Sequence, residues 1–332
     1  MVAGRQQARR RGAPMITALG GGQGLAASLR ALRRLTGDLT AVVTVADDGG
    51  SSGRLRAELG VLPPGDLRKA LAALCGDDDW GRTWSEVIQH RFQSDGELHG
   101  HAVGNLLIVA LWEKLGDPVE ALAYVGRLLG AHGRVLPMSA VPLDIEATVR
   151  GLDPDRPERL STVRGQAEVA VTPGEVESVR LLPQDPPAVP EAVAAVLQAD
   201  WVVLGPGSWF TSVLPHLMVP DLRDALVQTR SRKVLALNLV AQPGETEGFS
   251  PQRHLEVLGA HAPDLTVDFV LANAGTVADP EALRSAAKRL GAELVLDNVA
   301  ATDGSSGRHD PELLAAAYDR IFRMHGRIAP WR

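Results

Sequence analysis

Met15-Ile16-Thr17-Ala18-Leu19-Gly20-Gly21-Gly22-Gln23-Gly24 is an apolar run that stops at a glycine cluster, and behind it Leu25, Leu29, Leu32 and Leu35 recur at helical spacing. A strand that turns through glycines into a helix brings backbone N–H groups and the positive helix end close to an anionic group without Cβ obstruction. Gly22-Gln23-Gly24-Leu25-Ala26-Ala27 also fits the G-x-G-x-x-A form of a dinucleotide fingerprint, with Asp47 about two dozen residues further on. An NAD(P) ligand is therefore one alternative, and a tight turn needing glycine only for packing is another. No Gly-Lys-Ser/Thr follows, which argues against a P-loop nucleotidase.

Outward from this unit the same alternation recurs. Trp201–Leu204 precedes Gly205-Pro206-Gly207-Ser208 and the helical stretch Ser212–Met218; Val234–Leu239 precedes Pro251–His261; Val267–Ala272 precedes Pro280–Leu290; Leu294–Leu296 follows. The pattern predicts an α/β, Rossmann-like fold with a mostly parallel sheet and helices on both faces. From about 135 to 182 short alternating runs separated by Gly and Pro interrupt the rhythm and read as a small β-rich insertion. The expected organisation is one α/β domain over 14–327, behind a basic leader over 1–13 that is too polar to pack.

The 332-residue chain is 45% hydrophobic, with a net charge of -6. That composition excludes disordered and fibrous classes, and its sign offers nucleic acid no attractive field outside the cluster Arg5, Arg9, Arg10, Arg11. No apolar stretch approaches the roughly 20 residues that span a bilayer, so the expectation is a cytoplasmic protein with neither membrane nor nucleic acid as partner. A single cysteine, Cys75, excludes an internal disulfide and sits in an apolar pattern that suggests core packing.

The candidate site residues cluster in a few segments. In Val43-Thr44-Val45-Ala46-Asp47-Asp48-Gly49-Gly50-Ser51-Ser52-Gly53-Arg54 an apolar run ends at two acids and a hydroxyl-rich loop. Ser51, Ser52, Gly53 and Arg54 suit an anion cradle. Asp47 and Asp48, adjacent on a strand end, should point opposite ways, giving one acid facing the crevice and one ordering the loop rather than a metal-bridging pair. If the chain is an enzyme, these two are its catalytic candidates and could hold Mg²⁺ on phosphates. Pro63-Pro64-Gly65-Asp66-Leu67-Arg68-Lys69 enters a helix with Asp66 in the first turn, as cap or as ligand contact, and with Arg68 and Lys69 as anion contacts. His99-Gly100-His101 has a metal-ligand spacing but no third partner, which favours His101, with Asn105, in a hydrogen-bonding role. Gly207 and Ser208, beside Thr211 and Ser212, and then Asn238 and Gln242, fall where open α/β sheets bind ligands. Asp303-Gly304-Ser305-Ser306-Gly307-Arg308 echoes Asp48–Arg54, and Arg308 is expected to close over the same ligand.

These segments, in this order, resemble the YvcK/CofD-like family of gluconeogenesis factors, related to 2-phospho-L-lactate transferase, from about Ile16 to Tyr318. The resemblance rests on Gly20–Gly24, Val45–Arg54, Pro63–Asp66, Gly100–Asn105, Gly205–Ser208, Gln242–Thr246 and Arg308-His309-Asp310. It implies binding of a uridine diphosphate sugar such as UDP-N-acetylglucosamine, and a role in cell-wall precursor supply and cell shape on gluconeogenic carbon sources. It also implies a homo-oligomer, and an amino-sugar biosynthetic enzyme as a protein partner. Binding should need no cofactor, with Mg²⁺ an option. The transferase branch implies an alternative, a Mg²⁺-dependent phospholactyl-type transfer, and the chemistry of Asp47 or Asp48 holding Mg²⁺ on phosphates would equally suit a uridylyl transfer from UTP to a sugar 1-phosphate. Two departures stand out: Gln23 where Thr is commoner, and Lys69 where Asn often follows Gly-Asp-x-Arg.

Overall fold

The structure, a computed structural model, describes residues 13–242, 245–301 and 307–324. The basic leader up to Gly12 and residues 303–306 of the second Gly-Ser-Ser-Gly turn lie outside them.

Seven parallel strands form the main sheet. They are β1 (Ile16–Gly20), β2 (Leu39–Val43), β3 (Arg134–Pro137), β7 (Trp201–Leu204), β8 (Arg232–Ala236), β9 (Phe269–Asn273) and β10 (Glu293–Asp297); β4 (Asp144–Arg150), β5 (Leu160–Arg164) and β6 (Glu175–Leu182) form a separate antiparallel sheet. The main order is β10-β9-β8-β7-β1-β2-β3. Numbered within this sheet alone, the strands run 3-2-1-4-5-6-7, the dinucleotide-binding order extended by one edge strand. β1, β7 and β9 are buried at every residue, as strands covered on both faces must be.

Right-handed crossovers put helices on opposite faces of the sheet once the direction of strand addition reverses. The helix Gly22–Leu32 that follows β1 packs on Pro64–Leu74 and on the last helix, Pro311–Met324. The buried hydroxyls of Ser28 and Tyr318, 2.8 Å apart, pin that last contact. Cys75 is buried, and burial pushes its thiol up to about 11, so it behaves as a core residue.

Three expectations need correction. Arg134–Pro137 pairs in parallel with β2, so the insertion begins only after it: a four-residue edge strand ending in proline carries too little pattern to be distinguished from the antiparallel runs behind it. Helix Val103–Leu115, apolar nearly all round, is expected to be buried, yet Leu106, Leu107, Leu111 and Trp112 are half-buried because it lies in an outer layer. And Gly49–Gly53 is not a loop: Gly50–Leu59 is a helix. Its Ser-rich start has poor helical propensity, but buried hydrogen bonds from Ser51 and Ser52 override it. Gly53 is required there, because a Cβ would lie 1.9 Å from the Asp48 carbonyl oxygen.

The two glycine turns at the carboxyl ends of β1 and β7 meet in a tight joint. A Cβ on Gly24 would come within 2.3 Å of the Pro206 carbonyl oxygen and 2.7 Å of Gly207 Cα, whereas one on exposed Gly37 would meet nothing within 4 Å. Gly24→Ala should therefore lower stability by about 1–3 kcal/mol through backbone overpacking, and Gly37→Ala should change it by less than about 0.5 kcal/mol. Urea unfolding of the two variants checks this; equal stabilities would refute the contact.

Candidate functional site

β1 and β7 are neighbours, but the chain leaves them in opposite directions, so their carboxyl ends open a crevice at the point where strand order reverses. Its volume is about 360 Å³, and it brings together Gly22, Gln23, Gly24, Asp47, Asp66, Gly207, Ser208, Asn238 and Gln242 from the sequence-derived candidates. Lys69, Gln166, Ser212 and His309 also line it.

The two glycine turns differ in what their N–H groups meet. At the first, helix Gly22–Leu32 starts without a side-chain cap. The Gly22 N–H donates to Asp66 Oδ2 at 2.8 Å, and Leu25 N–H closes the first helical bond on the Gly21 carbonyl. The N–H groups of Gln23 and Gly24 have no acceptor among the described residues, which leaves two of the helix's orphan donors open to an anion. At the second turn the N–H groups of Gly207, Phe210 and Thr211 are occupied, while those of Ser208 and Trp209 have no acceptor among the described residues. Gly207 N–H donates to Asn238 Oδ1 at 2.9 Å, and Asn238 Nδ2 donates back to the Gly207 carbonyl at 2.8 Å. The N–H groups of Phe210 and Thr211 both donate to Glu245 Oε1 at 2.8 Å. Glu245 is 4% exposed, and burial pushes its carboxyl upward despite those bonds. Gln242 Nε2 donates to Ser208 Oγ at 3.1 Å, which ties the next strand's loop to this turn.

The acids also divide. β2 ends at Val43, so Asp47 and Asp48 lie beyond the strand, yet they still diverge. Asp47 lines the crevice and accepts from the Gly49 N–H at 3.1 Å; Asp48 turns outward and accepts from the Ala167 N–H at 2.8 Å, docking the insertion. Arg56, paired with Asp144 and donating to the Leu143 carbonyl at 2.9 Å, holds the insertion from its other end. That docking carries Gln166 to the crevice rim. Burial raises the Asp47 carboxyl above the ordinary carboxylate value, with the Asp66 carboxylate next to it as the second cause; the Gly49 N–H, Ser52 and the Lys69 ammonium pull it back.

Several expected contacts lie elsewhere. Ser51 Oγ is buried against His101 Nδ1 at 3.0 Å and accepts from Asn105 Nδ2 at 2.9 Å. Ser52 Oγ accepts from the Gly65 N–H at 3.0 Å. Arg54 donates to the carbonyls of Glu97 and His99. Ser51, Ser52, Gly53, His101 and Asn105 therefore form the packing behind Asp47, Arg54 is exposed, and all six are absent from the crevice wall. Buried Arg68 donates to Asn105 Oδ1 at 3.2 Å within the same network, and burial lowers it to about 10. His99 faces Ser94, so the two imidazoles of the His-Gly-His segment do not converge. Among the described residues no group of three or more His, Cys, Asp or Glu could hold a metal ion, and the divergence of Asp48 removes the Asp47–Asp48 pair as a Mg²⁺ site.

Arg308 lies in an adjoining hollow of about 230 Å³ that shares Gln23, Gly24, Gly307 and His309 with the crevice. Arg30 faces the same hollow, and burial together with Arg308 depresses its guanidinium. Neither arginine has a carboxylate partner among the described residues, since Asp310 is spent capping the N–H groups of Glu312 and Leu313. His309, missed as a site residue although Arg308-His309-Asp310 was a visible motif, is held neutral by burial, at about 4. Gln166 gave no sequence signal at all. A larger hollow of about 550 Å³ lies at the amino end of β3, between Leu71, Tyr124, Arg127 and Leu136, away from these groups.

Comparison with known proteins agrees with the fold. The family model described as 2-phospho-L-lactate transferase CofD matches residues 16–306. A Mycobacterium tuberculosis protein described as "Putative gluconeogenesis factor" is 56% identical over 309 residues, 92% of this chain and 90% of its own length. A Listeria monocytogenes protein described as "Gluconeogenesis factor" is 34% identical over 92% of this chain and 94% of its own. A crystal structure of a UPF0052 family member from Bacillus halodurans superposes with a TM-score of 0.81 at 32% identity, covering 91% of this chain and 97% of that one. Among the described residues no helix is long and apolar enough to cross a membrane.

The upward shift of Asp47 has a signed consequence. A carboxyl whose folded value is raised binds its proton more tightly in the native state, so native stability falls as pH rises from the ordinary Asp value, about 3.9, through the folded value. Asp47→Asn removes that loss and keeps an acceptor for Gly49. The variant should be more stable than the parent at neutral pH, and the difference should close as pH falls below the ordinary Asp value. Paired urea titrations across this range test it; a gain independent of pH would contradict the assigned cause.

Proposed function

The chain belongs to the CofD family, and from that premise we propose that it is a cytoplasmic nucleotide-sugar-binding regulator of the gluconeogenesis-factor kind. Its ligand is of the UDP-N-acetylglucosamine type, and its role is to support cell-wall precursor supply and cell shape on gluconeogenic carbon sources. The observation that carries the reading is the pair of open N–H donors at Gln23 and Gly24, on an uncapped helix start at the strand-order reversal. A helix N-terminus there favours phosphate, and about 360 Å³ is the volume of a small-molecule site.

In this reading the diphosphate sits on the first glycine turn. Gly207 and Ser208 wall the ligand through backbone held by Asn238, and Gln242 and Gln166 offer amides to sugar or base. Arg30 and Arg308 supply positive charge from the adjoining hollow. Ser51 to Gly53 act at one remove, by packing behind Asp47. No cofactor is needed to bind. An amino-sugar biosynthetic enzyme is the proposed receiver of the signal, and a homo-oligomer the proposed assembly. A weaker alternative is NAD(P), suggested by the same strand order.

The family's own description favours one further reading, a transferase in which Asp47 is the crevice acid and Asp48 only positions the insertion. Isothermal calorimetry with UDP-N-acetylglucosamine should give saturable heat at one site per chain; no binding at millimolar ligand would reject the regulator reading. Incubation with UTP, N-acetylglucosamine 1-phosphate and Mg²⁺ should leave pyrophosphate at background, and its steady release would establish the uridylyltransferase instead.

A further inference from the structure

Among the described residues Lys69 is the only lysine or arginine on the crevice wall, and burial holds His309 there neutral. It stands one helical turn after Asp66 on Pro64–Leu74, and its ammonium donates to Asp66 Oδ1 at 2.8 Å. The other oxygen of Asp66 accepts the Gly22 N–H at 2.8 Å. One carboxylate thus fixes both the start of the phosphate-facing helix and the position of a cation beside it. Both oxygens of Asp66 are engaged, and its side chain is 10% exposed against 27% for Lys69. The exposed partner is the one with freedom to turn.

Magnesium requires near-octahedral oxygen ligands and enters nucleotide sites through one or two carboxylates plus phosphate oxygens. The acids here do not supply that set. Asp48 faces the insertion, each oxygen of Asp66 already meets a donor, the Gly22 N–H or the Lys69 ammonium, and Asp47 is hydrogen-bonded by the Gly49 N–H and by Ser52. An ammonium occupies the neighbourhood that a divalent ion would have to share.

We propose that Lys69 is the built-in counter-cation of this site: its ammonium neutralises the phosphates of a nucleoside-diphosphate ligand, and binding is independent of divalent metal. The inference rests on the nucleotide-binding reading above. Lys69 reaches the phosphates by sharing its three donors between Asp66 and a phosphate oxygen, which an ammonium can do without leaving its tether. Removing the ammonium frees Asp66 Oδ1 beside Asp47 and leaves that carboxylate pair without its cation. The Lys69→Met variant should therefore acquire the metal dependence that the parent does not have.

The test is calorimetry with UDP-N-acetylglucosamine, in EDTA and in millimolar Mg²⁺, on the parent, Lys69→Met and Lys69→Arg. The parent should bind with the same affinity in both buffers. Lys69→Met should bind about tenfold or more weakly in EDTA, the scale of one charge-assisted hydrogen bond, and recover in Mg²⁺. Lys69→Arg should keep metal-independent binding. A parent whose affinity rises about tenfold with Mg²⁺, or a Lys69→Met variant that binds like the parent in EDTA, overturns the proposal while leaving the nucleotide reading intact. A parent that binds in neither buffer overturns both. If Lys69→Met fails to melt cooperatively, the parent and Lys69→Arg in the two buffers still decide the question.

Discussion

The backbone contact between Gly24 and the Pro206–Gly207 turn is the constraint on which the rest depends. A parallel sheet built outward from a central strand must at some point reverse its direction of growth, and the loops on the two sides of that point splay apart. Here they splay only after touching. Because no Cβ intervenes, the start of helix Gly22–Leu32 and the exit of β7 meet as bare backbone. The crevice above this contact is as narrow as two glycine turns allow, and every polar group that lines it is placed relative to that joint.

Asp66 transmits the constraint to the other side of the crevice. Its carboxylate joins the Gly22 N–H to Lys69, so the helix Pro64–Leu74 is fastened to the first glycine turn by a charge-assisted bond rather than by apolar packing alone. Behind it, Ser52 bonds Gly65, and Ser51, His101, Asn105 and Arg68 form a buried polar chain linking three helices. Such a chain contributes less to net stability than apolar packing would, but it tolerates few alternative arrangements. It fixes the height at which Asp47 stands in the crevice.

What was legible in the sequence depended on how local its cause was. The strand-glycine-helix unit and its repeats are written in contiguous residues, and they dictate the parallel sheet. Asp66 in a first helical turn and the divergence of neighbouring Asp47 and Asp48 follow from short-range geometry. By contrast, Gly50-Ser51-Ser52-Gly53 reads as a loop because its propensity is poor, and it becomes a helix only through partners such as Asn105, more than fifty positions away. Gln166 reaches the crevice because Asp48 catches a turn that lies 119 positions later. No local pattern encodes that contact. Residues 134–137 were ambiguous for a different reason: an edge strand of four residues is too short for its period to say which sheet it joins.

The asymmetry of the two glycine turns bears on how a ligand must lie. They look equivalent in sequence, each following a buried strand and each leading into helix. Their donors are not equivalent. Glu245 already places its carboxyl on the Phe210 and Thr211 N–H groups, and Asn238 fills the Gly207 N–H, so three of the second turn's donors are taken. The first turn keeps two donors open beside an ammonium. On the proposed nucleotide-binding reading, phosphate is favoured at Gln23 and Gly24 beside Lys69, with the uncharged part of the ligand toward the amides of Asn238, Gln242 and Gln166. The buried Glu245 thereby closes the second turn by occupying N–H donors that the sequence alone would equally well have offered to phosphate.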